Sequence, residues 1–94
     1  MKKMLYFQDD TPYQVYVVPA NGTLGRSVFI DYDSNDEPEG FLLGLSWELA
    51  EFKKDGWGKS GPPIRITRKK AEQLMGNRAK FRVVVKQIHD EFKA

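Results

Sequence analysis

The chain has 94 residues, 40% of them hydrophobic and 30% charged, which makes one globular domain with a single modest core and leaves no length for a second. It contains no cysteine, so disulfides, thiolate metal sites and a thiol nucleophile are all excluded. The formal charge of +2 conceals a division: residues 1–51 carry three cationic and nine acidic side chains, net −6, whereas residues 52–94 carry twelve and four, net +8.

Such asymmetry points to an anionic partner for the basic part, the alternative being that the two halves neutralise each other across the fold. At the start, "MKKMLYFQDD" sets only Met4 to Phe7 between a basic pair and polar residues, too little for a secretory signal. No stretch approaches the roughly 20 apolar residues that span a bilayer. A cytoplasmic protein without a membrane anchor is expected.

Residues 4–8 form an apolar run, and "YQVYVV" (13–18) is rich in aromatic and β-branched types, so both read as strands, with "DDTP" supplying turn chemistry between them. After Pro19 the Asn-Gly pair of "ANGTLG" marks a second turn, and "SVFIDY" (27–32) resumes strand composition. The first third is expected to be an antiparallel meander.

"DYDSNDEPEG" resembles a calcium loop only at its start. Asp31, Asp33 and Asn35 fit the first three ligand positions, but the sixth is Asp36 where glycine is needed and the twelfth is Leu42 where a bidentate acid is needed. A solvated loop is expected there, with no metal. Asp36 followed by Glu39 has the spacing of a capping box, Pro38 suits a first helical turn, and Phe41, Leu42, Leu45, Leu49 and Phe52 recur at helical spacing. These features predict a main helix over 37–54. Gly40 and Gly44 weaken its first turns by roughly 1 kcal/mol each relative to alanine, which leaves extension of the sheet as the alternative. Leu43 and Trp47, four apart, then form a second apolar strip on that helix, either covered by the fold or used as a partner-binding patch.

The stretch "DGWGKSG" (55–61) ends like a phosphate-binding P-loop. That motif needs a glycine five residues before Gly58, where Lys53 stands, and a strand rather than a helix ahead of it. No nucleotide site is expected. What the stretch does carry is an indole, Trp57, among glycines and beside Lys59. "PPIRIT" predicts a short strand, Thr67 an N-cap, Arg68 to Met75 a short helix and Gly76 its C-cap. In the last segment "FRVVVKQI" has strand composition, whereas Phe81, Val84, Val85, Ile88 and Phe92 keep helical spacing to the end; helix is preferred, with a strand over 80–88 as the alternative. Ala71, Leu74, Gly76, Phe81 and Val84 also fit loosely a helix-turn-helix, although Val83 falls where a polar base-reading residue is wanted.

His89 is the only histidine, and no serine elbow or His cluster accompanies it, so neither an enzyme nor a cofactor or metal is expected. The fold expectation is α+β: a small antiparallel sheet of three to four strands against one main helix plus C-terminal helical elements. The leading functional expectation is a non-enzymatic DNA- or RNA-binding or regulatory protein, in which Lys59, Arg65, Arg68, Lys69, Lys70, Arg78 and Arg82 engage phosphates and Trp57 stacks on a base. The rival is a small inhibitor or adaptor that binds an acidic protein surface, with Leu43, Trp47 and Trp57 as anchors.

Overall fold

Val15, Tyr16, Val17 and Val18 are consecutive and all fully buried. Successive strand residues point to opposite faces, so an antiparallel strand buries such a run only if both faces of its sheet are covered. The computed structural model, which describes residues 3–8, 14–55 and 63–92, shows how this is done. Its elements are β1 (Met4–Gln8), β2 (Gln14–Pro19), β3 (Leu24–Tyr32), β4 (Pro38–Glu48), α1 (Leu49–Asp55), β5 (Ile64–Ile66), α2 (Arg68–Met75) and α3 (Arg78–Phe92). The fold is α+β, with one five-stranded antiparallel sheet in the order β4-β3-β2-β1-β5. β1 to β3 form the expected meander, β4 extends it, and β5 returns to pair with the free edge of β1, Tyr6 opposite Ile66.

One face of the sheet presents Met4, Tyr6, Val15, Val17, Val28 and Ile30 to Ala71 and Met75 of α2 and to Phe81, Val85 and Ile88 of α3. The opposite face presents Phe7, Tyr16 and Val18 to Phe52 of α1, with Leu5, Trp47 and Leu49 around them. The Tyr16 and Phe52 rings stack with centroids 4.1 Å apart, and the Tyr16 hydroxyl donates to the Trp47 carbonyl at 2.8 Å. The helices therefore form two unequal layers on either side of the sheet.

The main helix expected over 37–54 is the principal correction. Residues 38–48 are the longest strand, and only Leu49–Asp55 are helical. The apparent capping box belongs to a hairpin. Asp33 accepts the Asp36 N–H at its carbonyl and those of Asn35 and Glu37 at its side chain, and Asp36 adopts a positive φ of 60°. A tight turn followed by a left-handed residue is a standard β-hairpin connection, and it uses the very carboxylate that a calcium site would need.

β4 then slips by one residue against β3: Val28 faces Leu43, whereas Arg26 faces Ser46. Two carbonyls in this bulge are held by side chains of β3, Gly44 by the Arg26 Nε at 2.9 Å and Leu45 by the Ser27 hydroxyl at 3.2 Å. A bulge inverts the alternation of faces beyond it. Leu43 consequently packs with the α2–α3 core and Trp47 with the α1 cluster, while both border a surface pocket of about 350 Å³ with Phe29, Gly44 and Leu45. Glycine is required at the slip, because a Cβ on Gly44 would stand 2.5 Å from the Phe29 ring and nearer still to the Ser27 hydroxyl.

The C-terminal helices follow the sequence closely. Thr67 caps α2 by accepting the Lys70 N–H at 3.1 Å, and Gly76, with φ of 70°, ends it by donating to the Glu72 carbonyl at 2.9 Å. Asn77 caps α3 through the Lys80 N–H at 3.0 Å. Strand composition in 81–88 yields to helical spacing, because Phe81, Val85 and Ile88 on one face cover β2 and β3 together.

Two measurements check this packing. Gly44→Ala is expected to lower stability by about 1–3 kcal/mol in urea unfolding, the cost of overpacking. Burial, reinforced by Glu48, pushes the Tyr16 hydroxyl far above the usual tyrosine range near 10, and burial raises Tyr6 in the same direction. The raised value belongs to the folded state, so the associated stability is intact below about pH 10 and lost as pH rises beyond it. For Tyr16 the expected loss approaches about 1.4 kcal/mol per pH unit, and Tyr6 adds a loss in the same direction. Tyr16→Phe should remove one of these two contributions; an unchanged pH slope in the variant contradicts the enclosure of its hydroxyl.

Candidate functional site

The helical layer of α2 and α3 carries seven of the chain's cationic residues against three acids. Since α3 spends one face on the sheet, its charges occupy the remaining circumference. Arg78, Arg82 and Lys86 recur at four-residue intervals and so share one stripe of the helix. On α2, Arg68, Lys69 and Lys70 are exposed in the first turn, beside the buried Ala71.

The three acids are already engaged. Glu72 lies between two guanidinium groups, 3.6 Å from Arg68 and 3.7 Å from Arg78. Asp90 pairs with Lys86 at 2.6 Å, and Glu91 pairs with Arg26 at 2.8 Å, tying the end of α3 to the β4 bulge through the same guanidinium that holds Gly44. Arg68 also lies over the Phe81 ring at 5.7 Å, which fixes it against the α2–α3 seam. Lys69, Lys70 and Arg82 meet no carboxylate among the described residues, and neither does Arg65.

The sequence-derived residues are thus sorted by the fold. Arg68, Lys69, Lys70, Arg78 and Arg82 belong to one layer. Arg65 lies apart on the edge strand β5, where with Lys3, Tyr6 and Arg68 it borders a cleft of about 430 Å³ at the start of α2. Trp57 and Lys59 lie outside the described residues. Lys86 completes the α3 stripe without having been singled out from the sequence; its signal is the four-residue spacing from Arg82.

The helix-turn-helix expectation is met only in outline. Two residues, Gly76 and Asn77, join α2 to α3, and both helices lie on the sheet. Val83 is 65% exposed on the outer side of α3, so the position that would read bases offers no hydrogen bond. Among the described residues no group of three His, Cys, Asp or Glu side chains could hold a metal. His89 places Nδ1 3.3 Å from the Asp90 carboxylate, and its buried Nε2 meets no hydrogen-bond partner among the described residues.

A second surface surrounds β4, which ends the sheet. Leu42 and Leu45 are 63% and 73% exposed. On the helix side Gly40, Phe41, Ala79, Lys80, Val83 and Val84 line an apolar groove of about 480 Å³. Leu42, Leu45 and Val83 are the exposed large apolar side chains of this region, whereas Phe41, Leu43, Trp47 and Val84 are half-buried. Among the described residues no helix is long and apolar enough to cross a membrane. Comparison of the chain with family models, with curated proteins and with solved structures finds no match to any of them.

Glu72 is the carboxylate on which the electrostatics of the α2–α3 seam turn. Glu72→Gln leaves Arg68 and Arg78 facing each other, and the variant is expected to gain about 0.5–1 kcal/mol of stability, relative to wild type, between low and high salt as the repulsion is screened. Equal salt dependence in urea unfolding of the two proteins contradicts this role.

Proposed function

We propose that the protein is a non-enzymatic nucleic-acid-binding or regulatory protein whose binding surface is the outer side of α2 and α3. One observation carries the reading: Lys69, Lys70 and Arg82 stand exposed on a single layer with no carboxylate partner among the described residues, next to Arg68 and Arg78, which share one acid. Like charges held at four-residue spacing repel one another, at about 0.2–0.5 kcal/mol per pair. A polyphosphate backbone relieves that repulsion and releases counterions in doing so, which gives the surface a favourable reason to bind it. Cations in the first turn of α2 similarly oppose the helix dipole until an anion arrives.

The reading is tested by titrating the chain against labelled mixed-sequence DNA and RNA at low salt. Saturable binding that weakens steeply with salt is expected, Arg82→Gln weakening it and Glu72→Gln strengthening it severalfold by releasing two guanidinium groups. Failure of every oligonucleotide to bind at low salt rules the function out.

A second reading, an inhibitor or adaptor acting on another protein, is favoured by one feature, the open edge of β4 with Leu42, Leu45 and the Phe41–Val83 groove beside it. An extended segment of a partner would add there as a further strand. On this reading a nuclease-treated lysate yields a stoichiometric partner that Leu42→Lys and Leu45→Lys both lose. Retention of the partner by those variants excludes the edge as its site.

A further inference from the structure

β5 pairs with β1 only at Tyr6, Phe7 and Gln8. Along an antiparallel strand the main-chain groups of alternate residues point to the same side. The Lys3 carbonyl accepts the Ala20 N–H on the β2 side, so the groups of Met4 and Tyr6 point the other way, toward β5. Tyr6 finds Ile66 there, but Met4 has no strand residue opposite it, because the chain has already turned at Thr67 into α2. This early turn leaves the cleft of about 430 Å³ between the start of β1 and the start of α2, a size that suits a small organic ligand.

The cleft gathers donors. Lys3, Arg65 and Arg68 line it, with no carboxylate among its lining residues. Of these three cations Glu72 reaches only Arg68, at 3.6 Å, while Lys3 and Arg65 meet no carboxylate among the described residues. Two hydroxyls stand with them. Thr67 Oγ1 accepts the Lys70 N–H, which leaves its own proton to donate. Tyr6 lines the cleft and is only 5% exposed, yet its hydroxyl makes no hydrogen bond with any described residue. Burial raises its pKa and Arg68 offsets this only in part, so at neutral pH the hydroxyl is a donor. A nearly buried hydroxyl with no partner in the chain marks a place for an acceptor from outside it.

The donor set suits one class of anion. Two guanidinium forks and an ammonium match a group with two charges and three terminal oxygens; a carboxylate, with one charge and two oxygens, leaves much of the set unused. Met4, Leu5 and Ile66 supply an apolar wall for the rest of the molecule.

We propose that this cleft binds a phosphate monoester of a small organic molecule, with Lys3, Arg65 and Arg68 on the phosphate and Thr67 and Tyr6 as hydroxyl donors. Arg68 borders both the cleft and the outer side of α2, but a small phosphate needs only the cleft, whether or not the helical layer binds nucleic acid. Amide chemical shifts of the full chain are followed at low salt as adenosine monophosphate, adenosine, or a trinucleotide with or without a terminal phosphate is added. Adenosine monophosphate is expected to bind saturably and to shift the amides of residues 4–6 and 65–69, whereas adenosine does not bind. Arg65→Gln should weaken binding about tenfold, and Lys3→Gln and Tyr6→Phe severalfold, the phenylalanine keeping its ring beside Phe81. Lys54→Gln, which removes an equal charge from α1 on the opposite side of the sheet, should leave it unchanged. Circular dichroism verifies that each variant stays folded. If the phosphorylated trinucleotide binds more tightly than adenosine monophosphate, the phosphate is that of a chain end; if it binds no more tightly, the phosphate is that of a free small molecule. Equal binding of adenosine and its monophosphate, no binding of any phosphate probe at millimolar concentration, or unchanged affinity in both Arg65→Gln and Lys3→Gln overturns the assignment.

Discussion

The packing of α3 on the sheet constrains everything else in this small domain. Phe81, Val85 and Ile88 are fully buried, and they cover the sheet face that β2 and β3 expose through Val15, Val17 and Val28. A 15-residue helix that spends its only continuous apolar face in this way has no other place for Arg78, Arg82 and Lys86 than its outer surface. The same burial stations α2 alongside, because Ala71 and Met75 join the same core. Hydrophobic packing gathers cations from two helices onto one layer, and Glu72 joins Arg68 and Arg78 across their seam.

The charges then divide into structural and available groups. Arg26 serves the fold: it satisfies a carbonyl freed by the β4 bulge and pairs with Glu91, so the slip in the sheet and the end of α3 are fastened by one side chain. Arg68 and Arg78 are partly neutralised by Glu72. Lys69, Lys70 and Arg82 have no such carboxylate among the described residues, and the acids of the early half lie mostly in the β3–β4 hairpin, where Asp33 organises the turn. Among the described residues, the ion pair that joins the two halves of the sequence is Arg26–Glu91.

Much of this was legible in the sequence because local chemistry and tertiary packing agree. Thr67, Gly76 and the period of Phe81, Val85 and Ile88 each specify one local structure, and the structure adopts it. The segment 38–48 was not legible, for a definite reason. Phe41, Leu45, Leu49 and Phe52 mimic a helical stripe, yet they belong to a strand, a bulge and a short helix on different sides of the sheet. Gly40 and Gly44 argue for the strand, and Gly44 is needed so that β4 can approach Phe29. The bulge breaks the period of two that would have revealed the strand. Of the candidate site, the cations could be named from the sequence, but their convergence depends on two helices sharing one sheet face, which no spacing within either helix encodes.

The most direct measurement is a map of backbone amide chemical-shift changes as a short DNA duplex is added to the protein. Changes centred on Lys69, Lys70, Arg82 and Lys86, with β4 and the Tyr16–Phe52 side of the sheet unaffected, are what this account predicts. Changes confined to the β4 edge or to the α1 side of the sheet, or none at all, contradict it.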